Sequence, residues 1–182
     1  MTPTLVKAAP ALRDKSQMPT RIRAVVITVS DACSKGDRED TSGQTLVQLL
    51  KDIGAEIVAT KMVPDDLEEL ALLLGAFADE PDVNLVITTG GTGFSPRDNT
   101  PEATRAVIER EAPGLSEAMR VRTLEQTPMA MISRGICGIR SGALIINLPG
   151  SPKGVRESFA VIQPVLNHAI ALLAGKPGGD LH

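Results

Sequence analysis

The sequence predicts an α/β fold of three layers, α/β/α, in which a mainly parallel sheet lies between helices on both faces. Continuous apolar and β-branched runs at 23–30 and 143–148 are typical of strands that are buried on both sides. Segments with leucines at helical spacing follow most of the strand candidates, so that strands and helices alternate along the chain. Such alternation is typical of domains built on a parallel sheet.

The first half of the predicted domain contains two strands and two helices. A polar loop follows the first strand, and Thr41 or Ser42 then caps a helix that ends at Gly54. The second strand is predicted at 56–63. Asp65 is in a position to cap the helix that comes next.

The second half of the predicted domain continues the alternation. A strand at 84–89 leads through a glycine-rich loop into a helix with Thr100 as its cap and Pro101 at its first position. A further helix is predicted at 115–124, before the last strand. Pro164 is expected to start a new helical segment or to kink the final helix.

The predicted domain spans 20–175, and we expect flexible tails at 1–19 and 176–182. The first tail carries three prolines and no sustained periodicity. The 182 residues, of which 42% are hydrophobic, are enough for one ordinary domain with a core.

The composition excludes several classes of protein. The net charge is -3 with both signs interspersed, and aromatic residues make up 2%, so the chain offers neither a basic surface nor stacking rings for nucleic acid. Its apolar stretches stop short of the roughly 18 residues that a membrane span needs, and no secretory signal is recognisable. We expect a cytoplasmic protein that binds neither nucleic acid nor a membrane.

Few side chains are available for nucleophilic or zinc chemistry. Cys33 and Cys137 form no CxxC pair, which favours two reduced and partly buried thiols. The only histidines are His168, which falls inside a helical pattern, and His182. Any chemistry must therefore rest on carboxylates, hydroxyls, backbone amides and a bound ion.

The candidates for a site are the residues that follow each strand, because open parallel sheets bind ligands beyond the carboxyl ends of their strands. An aspartate or a run of small residues stands at each of these positions. They are Asp31 after the first strand, Asp65 after the second, Gly90, Gly91, Thr92 and Gly93 with Asp98 after the third, and Gly150 and Ser151 after the last.

The TTGGTG loop after the third strand has two explanations. Its glycines expose backbone amides that can cradle an anion, although the loop matches neither a Walker motif nor GxGxxG. A simple reversal of the chain explains the spacing equally well. Arg97 as a phosphate-pairing cation and Asp98 as a hard oxygen ligand favour the anion site.

The candidate side chains also have two explanations each. Asp65 and Asp98 are a helix cap and a turn former, or they hold Mg²⁺ against a triphosphate. Ser133 and Thr123 belong, on the residues alone, to plain polar segments. Lys153 contacts an anion or lies at a solvated helix start.

A set of motifs in the right order resembles one known family. TTGGTGFSPRDNTPEATRAVIEREAPGLSEAMR, together with VSD, VPDD, MISRGICGIR and LIINLPGSPKG, resembles the molybdopterin adenylyltransferases, which include bacterial enzymes and the G domains of gephyrin-like proteins. The resemblance covers 23–174. It implies a molybdopterin-binding-like fold, a homotrimer and Mg²⁺-dependent transfer of AMP from ATP to the terminal phosphate of molybdopterin, with hand-over of the product to a molybdenum insertase. A catalytically inactive pterin-binding or scaffold paralogue of the same fold is the alternative.

The resemblance also implies roles for individual positions. Asp65 of the PD motif and Asp98 of the PRD motif are expected to be catalytic and to bind the metal. The expected nucleotide-binding residues are Gly90, Gly91, Thr92, Gly93, Asp31, Gly150 and Ser151. The expected pterin-binding residues are Ser133, Thr123 and Arg97. Thr123 departs from the serine of the family, and Ile132 stands where the family has the leucine of its LSR segment.

Overall fold

The computed structural model describes residues 21–175, in which helices surround a six-stranded sheet of order β2-β1-β3-β6-β5-β4. The strands are β1 (Arg23–Val29), β2 (Glu56–Val63), β3 (Leu85–Thr89), β4 (Arg110–Glu111), β5 (Cys137–Arg140) and β6 (Ala143–Leu148). The α-helices are α1 (Asp31–Ser34), α2 (Thr41–Asp52), α3 (Leu67–Ala78), α4 (Thr100–Val107), α5 (Pro113–Leu124) and α6 (Pro152–Leu173), and a 3-10 helix covers Pro128–Ile132. The tails predicted at 1–19 and 176–182 lie outside the described residues.

The sheet is mainly parallel, as the sequence predicts. β2, β1, β3 and β6 pair in parallel, whereas β5 pairs antiparallel with β6 and β4 antiparallel with β5. The sequence reasoning missed both antiparallel strands. A two-residue turn with positive φ at Ser141 (49°) and Gly142 (80°) joins β5 to β6, which is the backbone of a tight hairpin. The Ser-Gly pair before the strand at 143–148 was the signal for it.

Two hydrophobic clusters, one on each face of the sheet, confirm the three-layer prediction. Val26 of β1 packs in one cluster with Leu46 of α2 and Phe159 of α6. Its neighbour Val25 packs in the other cluster with Leu70 of α3. Successive residues of a strand point to opposite faces, so a strand buried on both sides is apolar at every position. This explains the unbroken apolar runs in the sequence.

The cap of α2 differs from the prediction. Asp40, and not Thr41 or Ser42, precedes the helix, and its Oδ1 accepts a hydrogen bond from the Gly43 amide at 2.8 Å. The other oxygen of the same carboxylate accepts from Thr28 Oγ1 at 2.7 Å. Asp40 therefore joins the start of α2 to the end of β1, which neither of the two hydroxyls is placed to do.

The cap of α3 also lies one residue from its predicted place. Asp66, and not Asp65, accepts from the Glu69 amide at 2.9 Å. The prediction that Thr100 caps α4 is wrong as well, because Asn99 precedes this helix and makes no capping bond. Thr100 is the first helical residue, and its Oγ1 donates to the Gly90 carbonyl at 2.9 Å. Neither Asp65 nor Thr100 therefore caps a helix.

Pro164 does not start a new helical segment, since α6 runs unbroken through it, and the alternative of a kink at this proline stays a prediction. Ile162 and Leu166 on either side are buried in the core and hold the helix against the sheet. Cys33 and Cys137 are both buried free thiols, and burial raises the pKa of Cys137 to about 12. No helix within 21–175 combines the length and apolarity that crossing a bilayer requires.

The adjacent aspartates at the start of α3 provide a test of the corrected cap. Asp66→Ala should lower the free energy of unfolding by about 1 kcal/mol, because the helix loses the acceptor for one of its first amides. Asp65→Asn removes no cap and should cause no such loss. Urea unfolding followed by far-ultraviolet circular dichroism measures both variants. Equal losses in the two would show that Asp66 is not the cap.

Candidate functional site

The residues predicted from the strand ends meet at one edge of the sheet. β1, β3 and β6 are parallel neighbours, so the turns that follow them lie side by side. The backbones of these turns pack directly on each other. A Cβ built on Gly90 would lie 2.2 Å from the Val29 carbonyl oxygen, and one built on Gly150 would lie 3.1 Å from the Gly90 Cα. Glycine at these positions therefore has a packing reason as well as any ligand-binding one.

The glycine turn presents free amides in a loop with left-handed backbone. Gly90 and Gly91 have φ values of 102° and 63°. The Gly90 amide donates to the Leu148 carbonyl at 3.1 Å, so this amide is already used by the fold. The amides of Gly91, Thr92 and Gly93 donate to no acceptor among residues 21–175. Three successive amides of this kind, at residues that are buried or half-buried, are suited to an anion.

Three carboxylates surround this loop. The Asp31 carboxylate accepts from the Asp65 amide at 3.1 Å and from Arg97 Nε and Nη2 at 2.5 and 2.8 Å. A Cβ on Gly91 would lie 2.6 Å from Asp65 Oδ1, and one on Gly93 would lie 2.9 Å from Asp98 Oδ2. The carboxylates of Asp65 and Asp98 therefore both face the glycine turn.

The electrostatic situation of Asp65 is unfavourable. Its Oδ1 is buried and has no hydrogen-bond partner among the described residues. Burial, followed by the negative charges of Asp31 and Asp98, raises the pKa of Asp65. The pKa of Asp31 is lowered, chiefly by its hydrogen bond with Arg97. One carboxylate of the group is thus neutralised by arginine, while Asp65 is left without a cation.

A divalent cation fits this arrangement. It would give the buried oxygen of Asp65 a partner and would offset the repulsion between Asp65 and its acidic neighbours. Residues 21–175 contain no group of three or more His, Cys, Asp or Glu side chains that could hold a metal by themselves. Mg²⁺ binds through one or two carboxylates together with phosphate oxygens and water. The donors present therefore suit Mg²⁺ that arrives with a phosphate ligand.

A cavity of about 270 Å³ brings Thr123 and Ser133 together. Thr123 lies on α5, where its Oγ1 donates to the Met119 carbonyl at 2.7 Å, and Ser133 follows the 3-10 helix. Arg120 and Lys153 add positive charge to the lining, and Glu157, which pairs with Lys153 at 3.6 Å, adds a negative charge. Ser151, the N-cap of α6, also lines the cavity, so the positive end of a 22-residue helix points into it.

The wall of this cavity includes a buried polar residue that was not predicted from the sequence. Asn147 of β6 is 2% exposed. Its Nδ2 donates to Thr88 Oγ1 at 3.1 Å and to Thr104 Oγ1 at 2.9 Å, and its Oδ1 accepts from the Ile136 amide at 3.2 Å. The amide side chain joins β3, β6, α4 and the segment after Ser133. It fixes one wall of the cavity without a free donor of its own.

A second, smaller cavity of about 170 Å³ lies on the other side of the turn that follows β6. Gly90, Gly91, Gly150 and Asp65 line it. Arg38, Glu39 and the first residues of α2 are also among the lining residues, and none of them was assigned to the site from the sequence. Gly150 faces the smaller cavity and Ser151 the larger one, so a turn of a few residues separates the two spaces.

Several predicted site residues do not line the cavity expected for them. Asp31, Thr92, Gly93 and Asp98 line neither cavity, although they belong to the loop after β3 or lie beside it. Arg97, predicted to bind pterin, lines neither cavity and instead pairs with Asp31. Ser151, predicted to bind nucleotide, lines the larger cavity with Ser133. The roles of all the site residues stay predictions.

The sequence reasoning also assigned no role to Arg134, which follows Ser133. Its backbone amide donates to the Thr92 carbonyl at 2.8 Å. Its guanidinium donates to the carbonyls of Gly93 and Asp98 at 2.7 and 2.6 Å and also pairs with Glu102. The serine-arginine pair in the MISR segment was the only signal in the sequence.

The raised pKa of Asp65 predicts how stability depends on pH. The folded state holds this proton more tightly than the unfolded state, so stability falls as pH rises from the usual value of 3.8 through the raised pKa. Asp65→Asn should therefore raise the midpoint of thermal unfolding at pH 7 in metal-free buffer, and the gain should shrink towards pH 4.

A carboxylate with the opposite pKa shift serves as the control for Asp65→Asn. The hydrogen bond from Arg140 lowers the pKa of Asp79, so Asp79→Asn should lower the midpoint at pH 7. Thermal unfolding between pH 4 and pH 8 tests both variants. If Asp65→Asn is less stable than the wild type at pH 7, the inference that the buried Asp65 carboxylate destabilises the folded state is wrong.

Two glycines with positive φ test how tightly the strand-end turns pack. Gly142 has nothing within 4 Å of a built Cβ, so Gly142→Ala should cost about 1 kcal/mol from backbone strain. Gly90→Ala also places its Cβ 2.2 Å from the Val29 oxygen and should cost roughly twice as much or more. Urea unfolding compares them, and equal costs would mean that the turns separate easily.

Known proteins resemble this chain over most of its length. Residues 25–168 match the profile of a family described as "Probable molybdopterin binding domain". A molybdopterin adenylyltransferase of Helicobacter pylori strain J99 is 41% identical over 157 residues, which are 82% of this chain and 86% of that protein. The molybdenum cofactor synthesis protein cinnamon of Drosophila melanogaster is 44% identical over 149 residues, and the chain spans 25% of that longer protein.

The solved structures show the same relationship. The molybdopterin biosynthesis enzyme MoaB of Thermus thermophilus is 46% identical and has a TM-score of 0.81, with 87% of this chain and 99% of that chain covered. The resemblance predicted from the motifs is confirmed, as is the molybdopterin-binding-like fold. The chain belongs to the molybdopterin-binding domain family of molybdenum cofactor biosynthesis.

Proposed function

We propose that the protein is a nucleotidyltransferase that moves AMP from ATP to the terminal phosphate of molybdopterin, which yields adenylylated molybdopterin and pyrophosphate. The proposal takes its substrates from relatives named molybdopterin adenylyltransferase. One observation carries it for this chain. The free amides of the glycine turn and the carboxylates of Asp65 and Asp98 lie at the sheet edge beside two cavities, one lined by Ser133 and Thr123 and the other by Gly90, Gly91 and Gly150.

The reaction needs charge neutralisation and alignment more than a nucleophilic side chain. An oxygen of the phosphate monoester attacks the α-phosphorus of ATP, and the bond from that phosphorus to the bridging oxygen of pyrophosphate breaks. Both reactants are anions, so the barrier falls when the site neutralises and aligns them in line. The buried and unreactive Cys137 and the scarcity of histidine are consistent with a reaction of this kind.

The smaller cavity and the glycine turn are suited to the nucleotide. The free amides of Gly91, Thr92 and Gly93 would donate to nonbridging phosphate oxygens. Arg38 and the N-terminus of α2 line the same space and favour negative charge there. Bound between Asp65 and Asp98, Mg²⁺ would supply positive charge for the triphosphate and the leaving pyrophosphate.

The larger cavity is suited to molybdopterin. Its lining combines apolar side chains with hydroxyls, a composition typical of a site for a flat heterocycle with polar edges. Because the Thr123 hydroxyl donates to Met119, it can only accept from a ligand, whereas the Ser133 hydroxyl can both donate and accept. Arg120, Lys153 and the start of α6 would attract the phosphate end of the substrate.

We also propose that the chain acts as a homotrimer in the cytoplasm and passes its product to a molybdenum insertase. The resemblance supplies this part. Exposed apolar side chains on α5 and the 3-10 helix, among them Val121, Met129 and Met131, are consistent with a surface that another chain covers. Sedimentation that finds only monomer at micromolar concentration would contradict the trimer.

Turnover tests the proposed function directly. Purified protein with Mg-ATP and molybdopterin should release pyrophosphate, and Asp98→Asn should reduce that rate by about 100-fold or more, because the triphosphate loses its anchoring carboxylate. Asp82→Asn, at the opposite end of β3, should leave the rate unchanged. Tight binding of molybdopterin without pyrophosphate release would instead identify an inactive pterin-binding paralogue. Normal turnover by Asp98→Asn would exclude Asp98 from the metal site.

A further inference from the structure

We propose that Arg134 is a positioning residue that holds the glycine turn and Asp98 in the geometry needed for transfer. The inference rests on the proposed adenylyl transfer and names a residue on which its rate depends. Arg134 lines neither of the two cavities, so it acts through the loop and not by touching a substrate. Its position in the chain, directly after Ser133, places it between the two halves of the site.

Arg134 contacts the loop between β3 and α4 at three points. Its amide donates to the carbonyl of Thr92 at 2.8 Å, its Nε to that of Gly93 at 2.7 Å and its Nη2 to that of Asp98 at 2.6 Å. The Thr92 carbonyl shares its peptide plane with the free amide of Gly93, so the bond to this carbonyl fixes the direction of that amide, and the bond to the Gly93 carbonyl fixes the next peptide plane of the loop. The bond to the Asp98 carbonyl fixes the backbone that carries the candidate metal ligand.

Glu102 in the first turn of α4 holds the guanidinium in this orientation. Its two carboxylate oxygens accept from Nη1 and Nη2 of Arg134, the second at 3.2 Å. The hydrogen bond with Arg134 is also the main cause that lowers the pKa of Glu102. A planar fork with five donors can bind two carbonyls and a carboxylate together, whereas a lysine ammonium concentrates its donors at one atom.

The contacts of Arg134 join the two substrate spaces. The Ser133 hydroxyl lines the larger cavity, and the next residue along the chain is bonded to the turn beside the smaller one. The backbone therefore transmits the position of the pterin side of the site to the triphosphate side over a single peptide. In-line transfer requires reacting atoms about 3–3.5 Å apart, so a small shift between the two sides lowers the rate.

A similar ion pair elsewhere in the molecule makes it possible to distinguish an effect on kcat from an effect on stability. Arg140 binds Asp79 through Nε and Nη2 at 2.9 and 2.7 Å and the Val107 carbonyl through Nη1 at 3.0 Å. The exposed fractions are alike, at 30% for Arg140 and 44% for Asp79 against 35% for Arg134 and 38% for Glu102. Arg140→Lys is therefore a matched control for Arg134→Lys, at a place where no cavity of the site lies.

The experiment measures kcat, the KM for each substrate and the midpoint of thermal unfolding. Arg134→Lys should lower kcat by about 10- to 100-fold, the range seen when a residue that orients a catalytic group is changed. Its KM for molybdopterin should stay within about twofold, because the lining of the larger cavity is intact. Arg140→Lys should show a similar change in midpoint with an unchanged kcat.

Glu102→Gln adds a variant that keeps the arginine and its carbonyl contacts. It should lower kcat by a smaller factor than Arg134→Lys does. The double variant should have a kcat no lower than that of Arg134→Lys alone, because both changes disable the same Arg134–Glu102 pair. If the wild type is active and Arg134→Lys keeps the same kcat, the inference about Arg134 is wrong and the proposed function still stands. A wild type that releases no pyrophosphate would overturn the proposed function and the inference with it.

Discussion

The direct packing of backbone on backbone at the carboxyl ends of β1, β3 and β6 is the contact on which the site depends. The Val29 carbonyl, the Gly90 Cα and Gly150 approach so closely that no side chain fits between them. Three turns are thereby held as one surface. The amides that follow Gly90 are left without acceptors among residues 21–175, and the two cavities open on either side of the turn after β6.

The charge of the site opposes the stability of the fold. Asp65 keeps a buried oxygen that has no hydrogen-bond partner in the described part of the chain, next to two other carboxylates, of which Asp31 is neutralised by Arg97. A protein selected for stability alone would replace such a residue, and perturbed carboxylates of this kind gather at functional sites. The chain carries a net charge of -3 and is proposed to bind two anions. The neutralising charge must therefore be local, from helix ends, arginines, lysine and a bound cation.

The fold was predictable because its strands are buried on both faces and therefore continuously apolar, and the bounds of β2 and β6 were predicted correctly. The predicted caps of α2 and α3 lay one or two residues away because Asp40, Thr41 and Ser42, like Asp65 and Asp66, are all good cap formers, and only the tertiary contact with Thr28 distinguishes among the first three. β4 and β5 were too short to show alternation.

The prediction that ligands bind beyond the carboxyl ends of parallel strands correctly indicated that the aspartates and glycines lie together at one edge of the sheet. It could not say that Arg97 would choose Asp31 or that Arg134 would hold the loop, because pairing over distances of 30 residues or more in sequence leaves no local pattern.

The narrow turn between the cavities has a consequence for how a product would leave. Under the proposed function, the product joins a nucleotide to a pterin and so spans both sides of the turn at 149–151. Such a molecule is bivalent, and when one half dissociates the other keeps it at a high effective concentration near the empty side. It is therefore held longer than either substrate. A site of this shape favours passage of the product directly to a second protein over its escape into solution.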